Sequence, residues 1–225
     1  MTPKQRERWA WGYVAVLAIA ALAWGVKVYL LPTLPDRRAA IGKDVLSRLQ
    51  NGDIIFQPST SGQSRAIQLA TGSRYSHCGI LFQTDTGSWY VVEAVQPVKR
   101  TPLVQWVARG QDGRFAVKRM GTGLTEEQQA ALRKAVGQYI GKDYDPYFGW
   151  GDDRIYCSEL VWKAYQQATG REVGTPQALG RFHLDGPLVA EKLKERYGEH
   201  IPLEEPVISP AAIFESPLLT PVISR

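Results

Sequence analysis

Cysteine and histidine are scarce in this chain: two of the former, Cys78 and Cys157, and three of the latter, His77, His183 and His200, among 225 residues. Neither type recurs at a C-x-x-C or H-x-x-x-H spacing. The sequence therefore offers no metal-ligand set, and neither a metal nor another cofactor is expected. Two cysteines are also too few for a disulfide-built scaffold. No cluster of Lys and Arg is interleaved with aromatics, which argues against a nucleic-acid partner. Of the net charge of +5, residues 1–31 carry +3 (Lys4, Arg6, Arg8 and Lys27 against Glu7), leaving only +2 for the rest. No internal repeat is present. With 44% hydrophobic and 22% charged residues, the chain has a globular composition and length enough for one sizeable domain plus an extension.

Charge is also missing from one long stretch, residues 9–26, which is rich in Ala, Val and Leu. Lys27 interrupts it and residues 28–31 extend it to Pro32. A spanning helix takes about 20 mainly apolar residues. The run reaches that length if Lys27 snorkels to the interface. Trp9, Trp11, Trp24 and Tyr29 lie near its two ends, where aromatic belts occur. The alternative is a cleaved signal peptide, with Ala21-Leu22-Ala23 as a small-x-small site. The apolar run continues past that site, which favours an uncleaved anchor. In both cases the positive N-terminus stays in the cytoplasm and residues 32–225 are exported. The expectation is a single-pass protein of the cytoplasmic (inner) membrane with its domain on the periplasmic side, or a secreted one after cleavage near Ala23.

Beyond the anchor, residues 32–49 read as a linker followed by an amphipathic helix over 37–49. Residues 50–200 read as the folded domain. Residues 201–225 hold five prolines and read as a tail that wraps the surface in extended form. Alternation of apolar residues predicts strands near 53–57, 77–83, 89–95 and 115–119, with a further short one at 98–101. Asp85-Thr86-Gly87-Ser88 is a hairpin turn between the second and third. Helices are predicted over 66–70, 103–108, 158–168 and 186–197. Another spans 125–140, capped by Thr125 with Gln128 at the capping-box position and Ile140 on its buried face. The fold class is α+β: a small antiparallel sheet packed against helices.

The chain is organised around Tyr156-Cys157-Ser158-Glu159-Leu160-Val161. Leu160, Val161, Ala164, Tyr165 and Ala168 fall at helical spacing, so Cys157 lies at or just before the first turn. Free N–H groups and the positive helix end stabilise an anion there, and the thiolate is the reactive form of cysteine. His77 opens the second strand. Glu93 is the one charge between Trp89 and Gln96 on the returning strand, and the hairpin places it diagonally from His77. A carboxylate inside an apolar strand calls for a partner, unless the strand is an edge. Cys157, His77 and Glu93 thus form a candidate triad of nucleophile, acid–base and orienting group. The backbone N–H of Cys157 would contribute to an oxyanion hole. A Cys78–Cys157 disulfide would consume the nucleophile. Neighbours on a strand face opposite ways, so a site-facing His77 turns Cys78 to the other layer and argues against that bond. His183 and His200 read as surface residues.

These residues carry a resemblance. Ser76-His77-Cys78-Gly79-Ile80, followed much later by Tyr156-Cys157-Ser158-Glu159-Leu160-Val161, is similar to the circularly permuted papain-like family. Its relatives include the NlpC-type cell-wall peptidases and the lecithin–retinol acyltransferases. Gly52-Asp53-Ile54-Ile55-Phe56 and residues 141–148 support the match, which covers about residues 50–170. The resemblance implies a permuted papain-like fold with Cys157 as nucleophile, His77 as base and Glu93 as third polar residue. Tyr156, Tyr144 and Ser76 are the candidate substrate-binding residues. Tyr144, Tyr147, Phe148 and Trp150 either line the site or pack their loop onto the sheet. The expected activity is hydrolysis of an amide or ester through a thioester acyl-enzyme. A cell-wall peptide and a lipid or lipidated amine are the candidate substrates, and the membrane is a partner through the N-terminal helix. Acyl transfer by the same triad, or a ligand-binding module without turnover, are the alternatives.

Overall fold

The computed structural model describes residues 41–224. The predicted membrane segment and the first residues of the predicted 37–49 helix lie outside them. In chain order the elements are α1 (Lys43–Leu46), β1 (Ile54–Gln57), α2 (Ser64–Thr71), β2 (His77–Gln83), β3 (Trp89–Glu93) and β4 (Lys99–Pro102). Then come α3 (Leu103–Ala108), β5 (Ala116–Met120), α4 (Glu126–Gly137), β6 (Asp143–Tyr144), β7 (Arg154–Ile155) and α5 (Cys157–Thr169). The chain ends with β8 (Gln177–Ala178), α6 (Pro187–Tyr197), β9 (Pro206–Val207), α7 (Pro210–Phe214) and β10 (Leu219–Ser224).

Six strands form one antiparallel sheet in the order β10-β5-β1-β2-β3-β4. Because side chains alternate, each strand feeds two cores. Ile54, Phe56, Cys78, Ile80, Phe82, Tyr90 and Val92 pack with the residues of α4 and α5. Ile55, Leu81 and Val91 pack on the opposite face with α3 and with Val45 of α1. Both faces are covered, so β1 is buried along its whole length. The class matches the α+β expectation, and all four main predicted strands form.

The segment after residue 200 departs from the extended surface tail. Ile208 and Ile213 are buried in the larger core, and β10 pairs with β5 as the sixth strand. Ser209 caps α7 by accepting the Ala212 N–H at 3.0 Å. Prolines do not prevent this. Pro210 occupies the first helical position, where its missing N–H costs nothing, and Pro221 lies on an edge strand, beside a register shift. Apolar residues at irregular spacing between prolines gave no periodic signal, yet Val207, Ile208, Ile213 and Leu219 are buried. Two helices are also shorter than predicted. α1 is a single turn, and α4 ends at Gly137, which leaves Ile140 exposed rather than buried.

Two glycines fix the close approaches that shape the sheet. Gly52, with φ +90°, precedes β1, and a Cβ there would lie 2.5 Å from Leu124. Gly79 lies where β2 and β3 part. A Cβ there would come within 2.7 Å of the Val92 carbonyl oxygen.

Candidate active site

The nucleophile is set by two local devices. Cys157 is the first residue of α5, capped by Tyr156 in an extended conformation, so its N–H is one of the helix's free donors. Just before it, β7 runs parallel to β6, pairing Tyr144 with Ile155. That short pairing brings Tyr144 beside Cys157. The loop between is closed by buried Asp145, which accepts the N–H groups of Tyr147 at 2.8 Å and Gly149 at 2.7 Å.

β2 pairs with β3 only from Ile80 onward. Its first residues are therefore open toward the start of α5. Cys157 stands at that end of β2, where the Cys78 side chain and N–H and the His77 imidazole act on its thiol. His77 and Glu93 sit on the face that carries Trp106, whose ring stacks on the imidazole at 5.9 Å. His77 Nε2 is 2.6 Å from Glu93 Oε2, which leaves Nδ1 for the thiolate. Glu93 is completely buried and is not on an edge, since β4 flanks it. Its Oε1 accepts the Thr101 hydroxyl at 2.5 Å and the Arg109 guanidinium.

The charges follow from this geometry. For Cys157, the hydrogen bond from the Cys78 thiol, the His77 charge and the Cys78 N–H overcome burial and hold the thiol well below its ordinary value. Burial and the Cys157 thiolate push the Cys78 thiol well up, so it stays a donor. Burial disfavours the imidazolium, but Cys157 and Glu93 outweigh it and raise His77 to about 9. Burial likewise opposes the Glu93 carboxylate, but His77, Thr101 and Arg109 bring it down to about 2. By linkage, the His77 contribution to stability is full below 6.5 and lost as pH rises through about 9. That of Glu93 is full above 4.5 and lost as pH falls through about 2.

The structure thus brings Cys157, His77 and Glu93 together. It corrects the placement of Cys78, which shares the core of Cys157 and donates to it rather than facing away. The alternation argument held for His77 against Cys78. It failed for Cys157, which sits at the opening and meets residues from both faces. Both thiols are free. His183 and His200 are exposed, as expected.

The three predicted substrate-binding residues all line one open groove that contains Cys157. Their polar groups are largely committed. The Ser76 hydroxyl lies 2.6 Å from that of Ser64 and accepts the Ser59 N–H at 2.9 Å. The Tyr156 hydroxyl accepts the Ile208 N–H at 3.1 Å and so ties the C-terminal segment to the groove. The Tyr144 hydroxyl accepts from Gln63 Nε2 at 2.7 Å, and burial together with the Cys157 thiolate pushes its phenol up. Phe148 also lines the groove, whereas Trp150 packs on Trp162 and Tyr147 is half exposed. Thr101, Arg109 and Gln63 are the polar residues that sequence reasoning missed. Thr101 was within reach of it, because the predicted 98–101 strand lies beside Glu93. Arg109 follows α3 in a loop, and nothing in its neighbours marks it.

Residues 48–223 match the model of a family described as permuted papain-like amidase enzyme, YaeF/YiiX, C92 family. The match therefore takes in the proline-rich segment as well as the motifs. The uncharacterized protein YiiX of Escherichia coli (strain K12) is 56% identical over 173 residues, 77% of this chain and 85% of that protein. A crystal structure titled metalloprotein yiiX, from Escherichia coli O157:H7, superposes with a TM-score of 0.77 at 55% identity, covering 79% of this chain and 98% of that one. The word metalloprotein is said of that structure. Among the described residues here, no three His, Cys, Asp or Glu side chains converge as a metal-binding group.

Two outcomes are expected. Glu93→Gln should lower kcat/KM by about 10²-fold or more. It should also shift the alkaline fall of the pH–rate profile, expected near 9 from His77 deprotonation, to lower pH. An unmoved alkaline limb would show that Glu93 does not support the imidazolium. Cys78→Ala should raise the Cys157 thiol pKa, read as thiolate absorbance at 240 nm against pH, and Cys78→Ser should restore part of the depression. Identical titrations in all three proteins would remove Cys78 from the site.

Proposed function

Since the chain belongs to the permuted papain-like amidase family, we propose that it is a cysteine hydrolase that cleaves an amide or ester through a thioester on Cys157. The observation that carries this reading is the buried line Cys157, His77, Glu93, with the thiol depressed and the imidazole raised. The Cys157 thiolate attacks the substrate carbonyl, and negative charge moves to its oxygen. The Cys157 N–H, at the start of α5, faces that charge. His77 gives its proton to the departing nitrogen or oxygen, the C–N or C–O bond breaks, and the acyl group stays on sulfur. Neutral His77 then takes a proton from water, whose hydroxide attacks the thioester. The acid product leaves and the thiolate–imidazolium pair re-forms. Glu93 keeps Nε2 protonated throughout, so Nδ1 is the nitrogen that cycles.

We place this domain on the exported side of the cytoplasmic membrane, held by the apolar run at residues 9–31. A cell-wall peptide or an acylated amine or lipid is the substrate class available there.

Acid-quenched mixtures of the protein and a p-nitrophenyl ester should show a mass increase of one acyl group on Cys157, absent in Cys157→Ala. Turnover by wild type and Cys157→Ala alike, with no adduct, would contradict the covalent route.

A further inference from the structure

Cys78 is a second buried thiol, and its sulfur forms no bond in the cycle above. It shares one core cluster with Cys157, and both are free. Two different elements hold them in place. Cys78 belongs to β2, where it stands opposite Phe56 of β1. Cys157 is the first residue of α5, which packs on β2. The Cys78 side chain and N–H both act on the Cys157 thiol, so the two residues are side by side. Residues in such contact fall within the span of about 4–7 Å between Cα atoms that a disulfide needs.

Access to the two sulfurs is unequal. Cys157 lines the open groove and is 4% exposed, whereas Cys78 does not line it and is 0% exposed. A small oxidant arriving from solvent therefore meets Cys157 first. Cys157 is also the thiolate of the two, and a thiolate is the form that a peroxide oxidises. Cys78 stands behind it as a thiol. We propose that Cys78 is a resolving cysteine: hydrogen peroxide oxidises Cys157 to a sulfenic acid, which Cys78 converts to a reversible Cys78–Cys157 disulfide.

In the first step the Cys157 thiolate attacks one peroxide oxygen and the O–O bond breaks. The departing hydroxide takes the His77 proton and leaves as water. Sulfur loses two electrons and the peroxide gains them. In the second step the Cys78 sulfur bonds to that of Cys157 and the S–O bond breaks. The oxygen leaves with the Cys78 proton as a second water. The first step also removes the Cys157 charge that opposes ionisation of Cys78, which favours the second. The disulfide takes the nucleophile and so stops hydrolysis. It also keeps the sulfenic acid from passing to the irreversible sulfinic acid. A dithiol restores both thiols by exchange. This device needs the Cys157 thiolate and no particular substrate.

The test exposes the reduced full chain to hydrogen peroxide, blocks it with N-ethylmaleimide and digests it with trypsin without reduction. In wild type, residues 75–99 and 155–163 should appear as one linked peptide, lighter by two hydrogens than their sum. Dithiothreitol should return both cysteines to N-ethylmaleimide labelling. In Cys157→Ser, Cys78 should stay a thiol under the same treatment. In Cys78→Ser, Cys157 should pass to the sulfinic acid. Its loss of labelling that dithiothreitol does not reverse should be about tenfold faster than in wild type. Unlinked peptides with a Cys157 sulfinic acid in wild type, a link between two chains, or equal irreversible loss in both proteins would overturn the proposal. Thiols that both stay free in wild type would overturn it too. The wild-type peptide map decides alone if a variant fails to fold.

Discussion

The structure depends on how four charges are held together at low exposure. Cys157 and Glu93 are anions, His77 and Arg109 are cations, and they alternate along one line from the start of α5 to the end of α3. Each of the inner three would be costly if buried alone. Together they sum to zero. The hydrogen bonds from Thr101 and Cys78 add donors to the two anions. Arg109, with its side chain 44% exposed, is the wet end of the line, so one charge of the four keeps much of its hydration.

The fold supplies this arrangement through an interruption rather than through regular structure. A sheet paired along its full length would have used the Cys78 N–H in a ladder and closed the space beside Gly79. Because β3 leaves β2 at Ile80, the helix start fits against the open strand end, and the thiolate takes the place of a neighbouring strand. The C-terminal segment then closes the other side. The Tyr156 hydroxyl and the Ser158 hydroxyl, which donates to the Ile208 carbonyl at 2.8 Å, fasten it to the first turn of α5. The residues that flank the nucleophile thus hold a wall of the groove.

Much of this was legible in the sequence. The α5 periodicity placed Cys157 at a helix start, the hairpin count placed Glu93 diagonal to His77, and the lone carboxylate in an apolar strand called for a partner. The structure bears out each. What was not legible depends on contacts between distant segments. The proline-rich end lacks a period, so its burial could not be read locally. Arg109 reaches Glu93 from a loop, and Cys78 meets Cys157 only because two strands part. Pairing rules gave the direction of each side chain but not the place where pairing stops.

The central claim is that Cys157 is a thiolate ion-paired with His77. The most direct measurement is the rate of Cys157 alkylation by iodoacetamide against pH, in the wild-type protein and in His77→Ala. The account predicts a plateau of reactivity in the wild type that extends well below the free-thiol value of about 8.5 and is lost in His77→Ala. A wild-type rate that follows a free-thiol titration, or a plateau that survives His77→Ala, would contradict it.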